Sequence, residues 1–324
     1  MDMNVRPASS SSILKTAHTS QPPKFVDPSS YTVYVITALF LAAVCGGFIA
    51  SSFSYDGRAL NEKIFGLCIA IPTAYLFRIA DKRRIATFLE VSALFGAISL
   101  LGIFSSMMLS AIPIPYADIL LSNMDRMMGF DWMAVFKPMS DYKGIMNLQA
   151  SVYLSFNWQP MLLIFLLCAL GLESECWLFV TAWAVALALT VVIFPFFPAK
   201  SALIVNQISP VRFPEIAKGG TLFFYDIMED IRSGRLRVIG FRQLTGMITF
   251  PSFHAAAAIV IGWGYGQIPY LRWPFVLLNL TMIISAIYIG GHYLIDIVAG
   301  IVIGFGSLLI SHRLLRAQRA SDGF

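Results

Sequence analysis

Two stretches, Thr249-Phe250-Pro251-Ser252-Phe253-His254 and Gly290-Gly291-His292-Tyr293-Leu294-Ile295-Asp296, stand at the outer ends of two apolar segments joined by the turn Gln267-Ile268-Pro269. If both segments cross a bilayer, the chain leaves His254, crosses, turns and returns, so His292 reaches the membrane face from which His254 started. Topology alone then gathers two histidines and an aspartate at one place.

Each residue there has a chemical reason. Pro251 can occupy the first turn of a helix, where its missing N–H costs nothing; the free N–H groups beside Ser252 and Phe253, with the Ser252 hydroxyl, then form an anion-binding end suited to phosphate. His292 and Asp296 are spaced i,i+4 and share a helix face, so the carboxylate can hold one imidazole nitrogen protonated and leave the other as nucleophile or base. His254 is then available as the acid. The residues by themselves leave two other readings open: two histidines and an aspartate can ligate a metal, and a histidine at a helix end can be a satisfied structural residue.

Pro-Ser-x-His at 251–254 with Gly-His-x-x-x-Asp at 291–296 resembles the second and third signatures of the type 2 phosphatidic acid phosphatase and vanadium haloperoxidase superfamily. The resemblance implies that His254 protonates the leaving oxygen, His292 attacks phosphorus to give a phosphohistidine, and Asp296 orients His292. It implies no metal and no cofactor. Phe-Pro-Ser-Phe-His-Ala-Ala, Gly-Gly-His-Tyr-x-x-Asp, the segment Asp125-Arg126-Met127-Met128-Gly129-Phe130-Asp131-Trp132 and Tyr153-Leu154-Ser155 are similar to the branch that includes inositol phosphorylceramide synthase, an inositolphosphotransferase, and carry the likeness over residues 110 to 311. Two features depart from the superfamily. Its arginine six residues before the third-signature histidine is Ala286 here, and its first signature, Lys-x6-Arg-Pro, is replaced by Phe194-Pro195-Phe196-Phe197-Pro198-Ala199-Lys200-Ser201. Fewer fixed cations suit a phosphodiester, with about one negative charge, better than a monoester with about 1.5 to 2.

The composition sets the class. A chain of 324 residues that is 57% hydrophobic and 13% charged, its charges gathered between long apolar runs, is a polytopic membrane protein. Its net charge of +5 is therefore read by location, as orientation and phosphate contact and not as nucleic-acid binding. Cys45, Cys68, Cys168 and Cys176 have no paired spacing and support neither a disulfide framework nor a zinc motif.

Residues 1–30, rich in Ser and Pro, are expected to be a disordered cytoplasmic tail and not a cleavable signal peptide. Two accessory spans follow within 31–85: Tyr31 to Phe53, and a short one from Ile64 to about Phe77 broken by Pro72. Arg78, Lys82, Arg83 and Arg84 then place the loop, and hence the N-terminus, in the cytoplasm. A six-span phosphatase-type core fills 86–312. It begins with span three, about Ala86 to Ile112, whose Glu90 is expected at the water interface. Residues Pro113 to Gln149 form an amphipathic outer segment whose Met and aromatic stripe reads as packing or interfacial anchoring, with a lid over the lipid entrance as the lesser reading. Span four, about Val152 to Leu172, opens with Tyr153, Ser155, Asn157 and Gln159, which either line the site or hydrogen-bond between helices. Span five is Trp177 to about Phe197. The outer loop Lys200 to Thr249 carries many cations and an amphipathic helix around Phe223, Phe224, Ile227 and Ile231, expected to lie in the interface. Spans six to eight are Phe250 to Gly266, Trp273 to Ile289 and Tyr293 to Ile310, and the basic tail 313–324 is cytoplasmic.

The chain is thus expected to be an all-α polytopic membrane protein of about eight transmembrane helices. Its expected activity is transfer of a phosphoryl headgroup from a phospholipid to a lipid or alcohol acceptor, at an extracytoplasmic site. Lipid phosphate hydrolysis is the alternative, and a non-enzymatic lipid-binding or transport protein the second. Besides Ser252, the expected phosphate-binding groups are Lys200, which follows span five as the first signature does, and Arg212, although either could be a snorkelling anchor at the membrane edge.

Overall fold

The computed structural model describes residues 27–321, apart from residues 52 and 210, so the tail expected over residues 1–26 lies outside the described residues. In chain order the helices are α1 (Tyr31–Ala50), α2 (Gly57–Ile79), α3 (Arg83–Ser110), α4 (Asp118–Met127), α5 (Trp132–Ser140), α6 (Lys143–Leu154), α7 (Gln159–Ala169), α8 (Glu173–Ile193), α9 (Ala202–Val205), α10 (Pro214–Lys218), α11 (Thr221–Arg232), α12 (Phe253–Gly266), α13 (Arg272–Tyr288) and α14 (Leu294–Ser321). Two residue pairs, Ser54–Tyr55 (β1) and Val238–Ile239 (β2), join in parallel.

Four helical stretches are long and apolar enough to cross a membrane: Tyr31–Ala50, Arg83–Ser110, Glu173–Phe196 and Leu294–Gln318. Lys143–Asn157 with Gln159–Ala169 makes a fifth if the pair, bent by 53°, is one span. The other three expected spans are shorter helices: Ile64–Ile79 within α2, α12 and α13. For α12 and α13 the reason is local, because α12 starts and α13 ends where the chain turns to build the site described below. In α2 the helix continues through Pro72 instead of breaking there. One lost backbone bond is tolerable in such a helix when neighbouring groups and small local adjustments take it up.

α8 is the centre of the bundle and packs against α3, α12, α14 and α1. Of its span 78% is buried, against 17% of α1 at the periphery. α1 and α2 both pack on α3. Glycines let α12 and α14 meet closely: a Cβ on Gly300 would stand 2.3 Å from the Ser252 carbonyl oxygen, and one on Gly304 2.8 Å from that of Ala256. Small residues one helical turn apart are how helices approach when no hydrophobic force drives them together in lipid.

Two expectations change. Glu90 is not at a water interface but 1% exposed, ion-paired to Arg78 Nη2 and accepting from the Tyr34 hydroxyl at 3.2 Å. A carboxylate at that depth needs a partner, and α1 and α2 supply two. The amphipathic helix α11 packs on protein: Phe224, Ile227, Met228 and Ile231 join Val44, Phe53, Phe104, Met107 and Phe194 in a second core at the end of the bundle. The segment after His312 continues α14 to Ser321.

Candidate active site

Ser252 is the N-cap of α12, its Oγ accepting from the Ala255 N–H at 3.3 Å, and it is fully buried. Pro251 therefore precedes the cap instead of occupying the first turn, and the Phe250–Pro251 peptide is cis. The Ser252 N–H donates to the Asp296 carbonyl oxygen at 3.0 Å, so the two signature segments are joined through their backbones. Among the described residues the N–H groups of Phe253 and His254 have no acceptor, as expected of a first helical turn.

At the other segment Gly291 has φ 66°, a left-handed turn in which a Cβ would collide with Ser201 Oγ at 2.1 Å. The His292 N–H donates to the Ala286 carbonyl at 3.1 Å, so the place of the superfamily arginine is a buried backbone anchor. His292 Nδ1 lies 3.2 Å from Asp296 Oδ2, which also accepts the Tyr293 N–H at 2.9 Å. A carboxylate at that distance favours the tautomer with the proton on Nδ1, in which the lone pair is on Nε2. His254 stacks on Tyr153, ring centroids 4.4 Å apart at 16°, and touches Phe156 at 4.4 Å. Its ring is 6.5 Å from that of His292 and makes no hydrogen bond to a described residue.

His254, His292 and Asp296 line a cavity of about 370 Å³, with Tyr153, Asn157 and Ser201 among the polar groups and Trp183, Leu187 and Phe224 among the apolar ones. Among the described residues no lysine or arginine lines it. Of the span-four candidates, Tyr153 and Asn157 reach the cavity, whereas Ser155 and Gln159 bond to each other at 2.7 Å and Gln159 accepts from Asn279 on α13 at 2.8 Å. Lys200 is turned toward an aromatic pair, its Nζ 4.9 Å from the Tyr116 ring centroid and 5.7 Å from that of Tyr225. Arg212 is exposed against the Phe213 ring. Ser252 is used as a helix cap. The structure thus brings His254, His292 and Asp296 together and does not bring Lys200 or Arg212 to them. Among the described residues no group of three or more His, Cys, Asp or Glu side chains has the arrangement of a metal site.

Sequence reasoning missed two carboxylates beside the site. Asp125 accepts the Leu294 and Ile295 N–H groups, both at 2.9 Å, and caps the first turn of α14. Burial pushes its carboxyl above the usual carboxylate range, and these two bonds pull it partly back. Asp118 accepts the Tyr293 hydroxyl at 3.0 Å and the Lys200 and Ser201 N–H groups. The signals available were their i,i+7 spacing, which puts both on one face of α4, and, for Asp125, its place at the head of the Asp125–Trp132 segment.

Comparisons with curated proteins and with solved structures gave no match. The family model described as PAP2 superfamily matches residues 119–310, more than half of the 324 residues and all three residues of the histidine–aspartate site. Its match runs from α4 to α14 and leaves α1, α2 and α3 outside. The chain is a helical membrane protein that belongs to the PAP2 superfamily, whose members are phosphatases or phosphotransferases.

Proposed function

We propose that the protein is a lipid phosphotransferase. His292 Nε2 attacks the phosphorus of a phospholipid and His254 protonates the leaving alcohol. The headgroup phosphate is carried on His292 until a second alcohol, deprotonated by His254, accepts it. Asp296 keeps His292 in the attacking tautomer and balances the cation that forms on the ring. The observation that carries this reading is one cavity wall bearing His254 and His292, with Nδ1 of His292 on a buried carboxylate and Nε2 given no hydrogen bond to a described residue.

The choice of a diester over a monoester rests on the wall having no lysine or arginine among the described residues. A phosphate of about one negative charge needs less compensation than one of about 1.5 to 2. The developing charge then falls to the free N–H groups of the α12 first turn and to the histidines themselves. The apolar part of the cavity, around Trp183 and Leu187, suits the hydrocarbon of the substrate. Kinship with the branch of inositol phosphorylceramide synthase agrees with the motifs and with the loss of the clamp cations.

Two basic clusters support a site on the extracytoplasmic face. Arg78, Lys82, Arg83 and Arg84 sit at the α2–α3 turn, and Arg313 and Arg316 sit near the end of α14. The Gln318 side chain donates to Thr32 at 2.6 Å, and Tyr34 meets Glu90, so the starts of α1 and α3 and the end of α14 share one end of the bundle. By the positive-inside rule that end and both termini are cytoplasmic, and the histidines, at the start of α14, are at the other.

The test is product analysis of a phosphorus-labelled phospholipid panel with purified protein, with and without alcohol acceptors. Label moving to the acceptor is expected. Release to water whatever the acceptor would make the protein a phosphatase, and no turnover of any lipid would leave a binding or transport protein.

A further inference from the structure

We propose that Asp118 and Asp125 of α4 are positioning residues that fix the nucleophile by holding the chain on both sides of His292. The inference rests on the reading of His292 as nucleophile. After His292, the Tyr293 hydroxyl is bound by Asp118 at 3.0 Å, and the next two N–H groups, of Leu294 and Ile295, are bound by Asp125. Before it, the Gly291 carbonyl accepts from Ser201 Oγ at 3.1 Å and from the Ala202 N–H at 2.8 Å. Ser201 in turn is held by its own N–H to Asp118 at 3.3 Å. One short helix thereby fixes both ends of the loop that carries the attacking ring.

The arrangement costs more than packing requires. Asp118 and Asp125 are 7% and 2% exposed, and neither forms an ion pair with a cation among the described residues. A buried carboxylate without a cation is destabilising, and an apolar residue facing the core would avoid that cost. Ser201 also has φ 108°, a region that side chains other than glycine rarely occupy. Backbone strain of this kind persists where surrounding contacts over-determine it, and here those contacts converge on the turn before His292. A carboxylate suits the task because its two oxygens can bind two adjacent N–H groups at once and its charge complements the positive end of the 28-residue α14. Asn at 125 would offer one acceptor oxygen and turn its amide group toward an N–H.

The attack requires Nε2 to stand in line with the phosphorus, and a misplacement of about 1 Å can cost on the order of 10²-fold in rate. Asp125→Asn and Asp118→Asn should therefore lower kcat by roughly 10- to 100-fold with KM within about twofold, measured per folded molecule well below Tm. Tyr293→Phe, which deletes a single hydroxyl, should lower kcat by a smaller factor and covers the case in which an Asp variant does not fold. Glu90→Gln, at the opposite end of the bundle, serves as a destabilised control with unchanged kcat. The probe is the labelled phospholipid turned over fastest in the panel, assayed alongside His292→Ala. If His292→Ala is inactive while folded Asp125→Asn, Asp118→Asn and Tyr293→Phe keep wild-type kcat and lose only Tm, the positioning role is wrong and the nucleophile stands. If His292→Ala keeps its activity, or no phospholipid is turned over, the nucleophile reading falls and the positioning role falls with it.

Discussion

The two ends of the bundle bury carboxylates in different ways. At the α2–α3 end, Glu90 is neutralised by the Arg78 guanidinium and a tyrosine hydroxyl. At the histidine end, Asp118, Asp125 and Asp296 are met by backbone N–H groups, a tyrosine hydroxyl and an imidazole, with no guanidinium or ammonium among the described residues. A buried charge that meets a full counter-charge is held for structure, as where Glu90 ties α1 and α2 to α3. A carboxylate that meets only N–H groups and a titratable ring keeps its field available, and it can stabilise a histidine that becomes cationic during reaction. The difference separates the part of the protein that holds the accessory helices from the part proposed to do chemistry.

The largest effects should fall on the histidine end. His292→Ala and His254→Ala should each lower turnover by on the order of 10²- to 10⁴-fold in folded, detergent-soluble protein, and Asp296→Asn should be strongly impaired because an amide does not stabilise an imidazolium. Steady-state assay of the purified variants checks this. Equal losses of activity from substitutions at both ends would erase the contrast.

At the other end the effect should be on stability. Glu90→Gln leaves Arg78 without its carboxylate at a site where removing one partner of a buried pair costs about 3 to 5 kcal/mol. Thermal denaturation should show a lowered Tm, with kcat per folded molecule unchanged. The smallest effects belong to the cations that the sequence offers as a phosphate clamp. Lys200→Ala removes a cation stacked on Tyr116 and Tyr225, worth about 0.5 to 2 kcal/mol. Arg212→Ala, at an exposed site, should lie within about 0.5 kcal/mol of wild type. Both should keep kcat/KM. A loss from either equivalent to about 2 to 4 kcal/mol of transition-state stabilisation would place that residue at the phosphate after all.

What was legible in the sequence follows the range of the interactions. The apolar helices and the His292–Asp296 pair are local patterns, read from composition and i,i+4 spacing. The partner of Glu90 was not legible: Arg78 is near in sequence, but its approach depends on how α2 folds back on α3. Asp118 and Asp125 fell on the polar face of an amphipathic helix, where acidic residues usually meet water. Only the docking of α4 against the start of α14 buries them. Ser252 was recognised as belonging to the helix end, but its hydroxyl is turned into the helix as a cap. The bend between α6 and α7 falls at Ser155–Trp158, and what decides which polar residues line the cavity is the packing of α13 against Gln159.

The most direct test is to trap the covalent intermediate. Protein turning over a phosphorus-labelled phospholipid is quenched in alkali, digested and mapped by mass spectrometry. Acid-labile, alkali-stable label on the peptide containing His292, absent in His292→Ala and accumulating in the absence of acceptor, is the expected result. Full turnover with no label on the protein, or label on a peptide without His292, would contradict it.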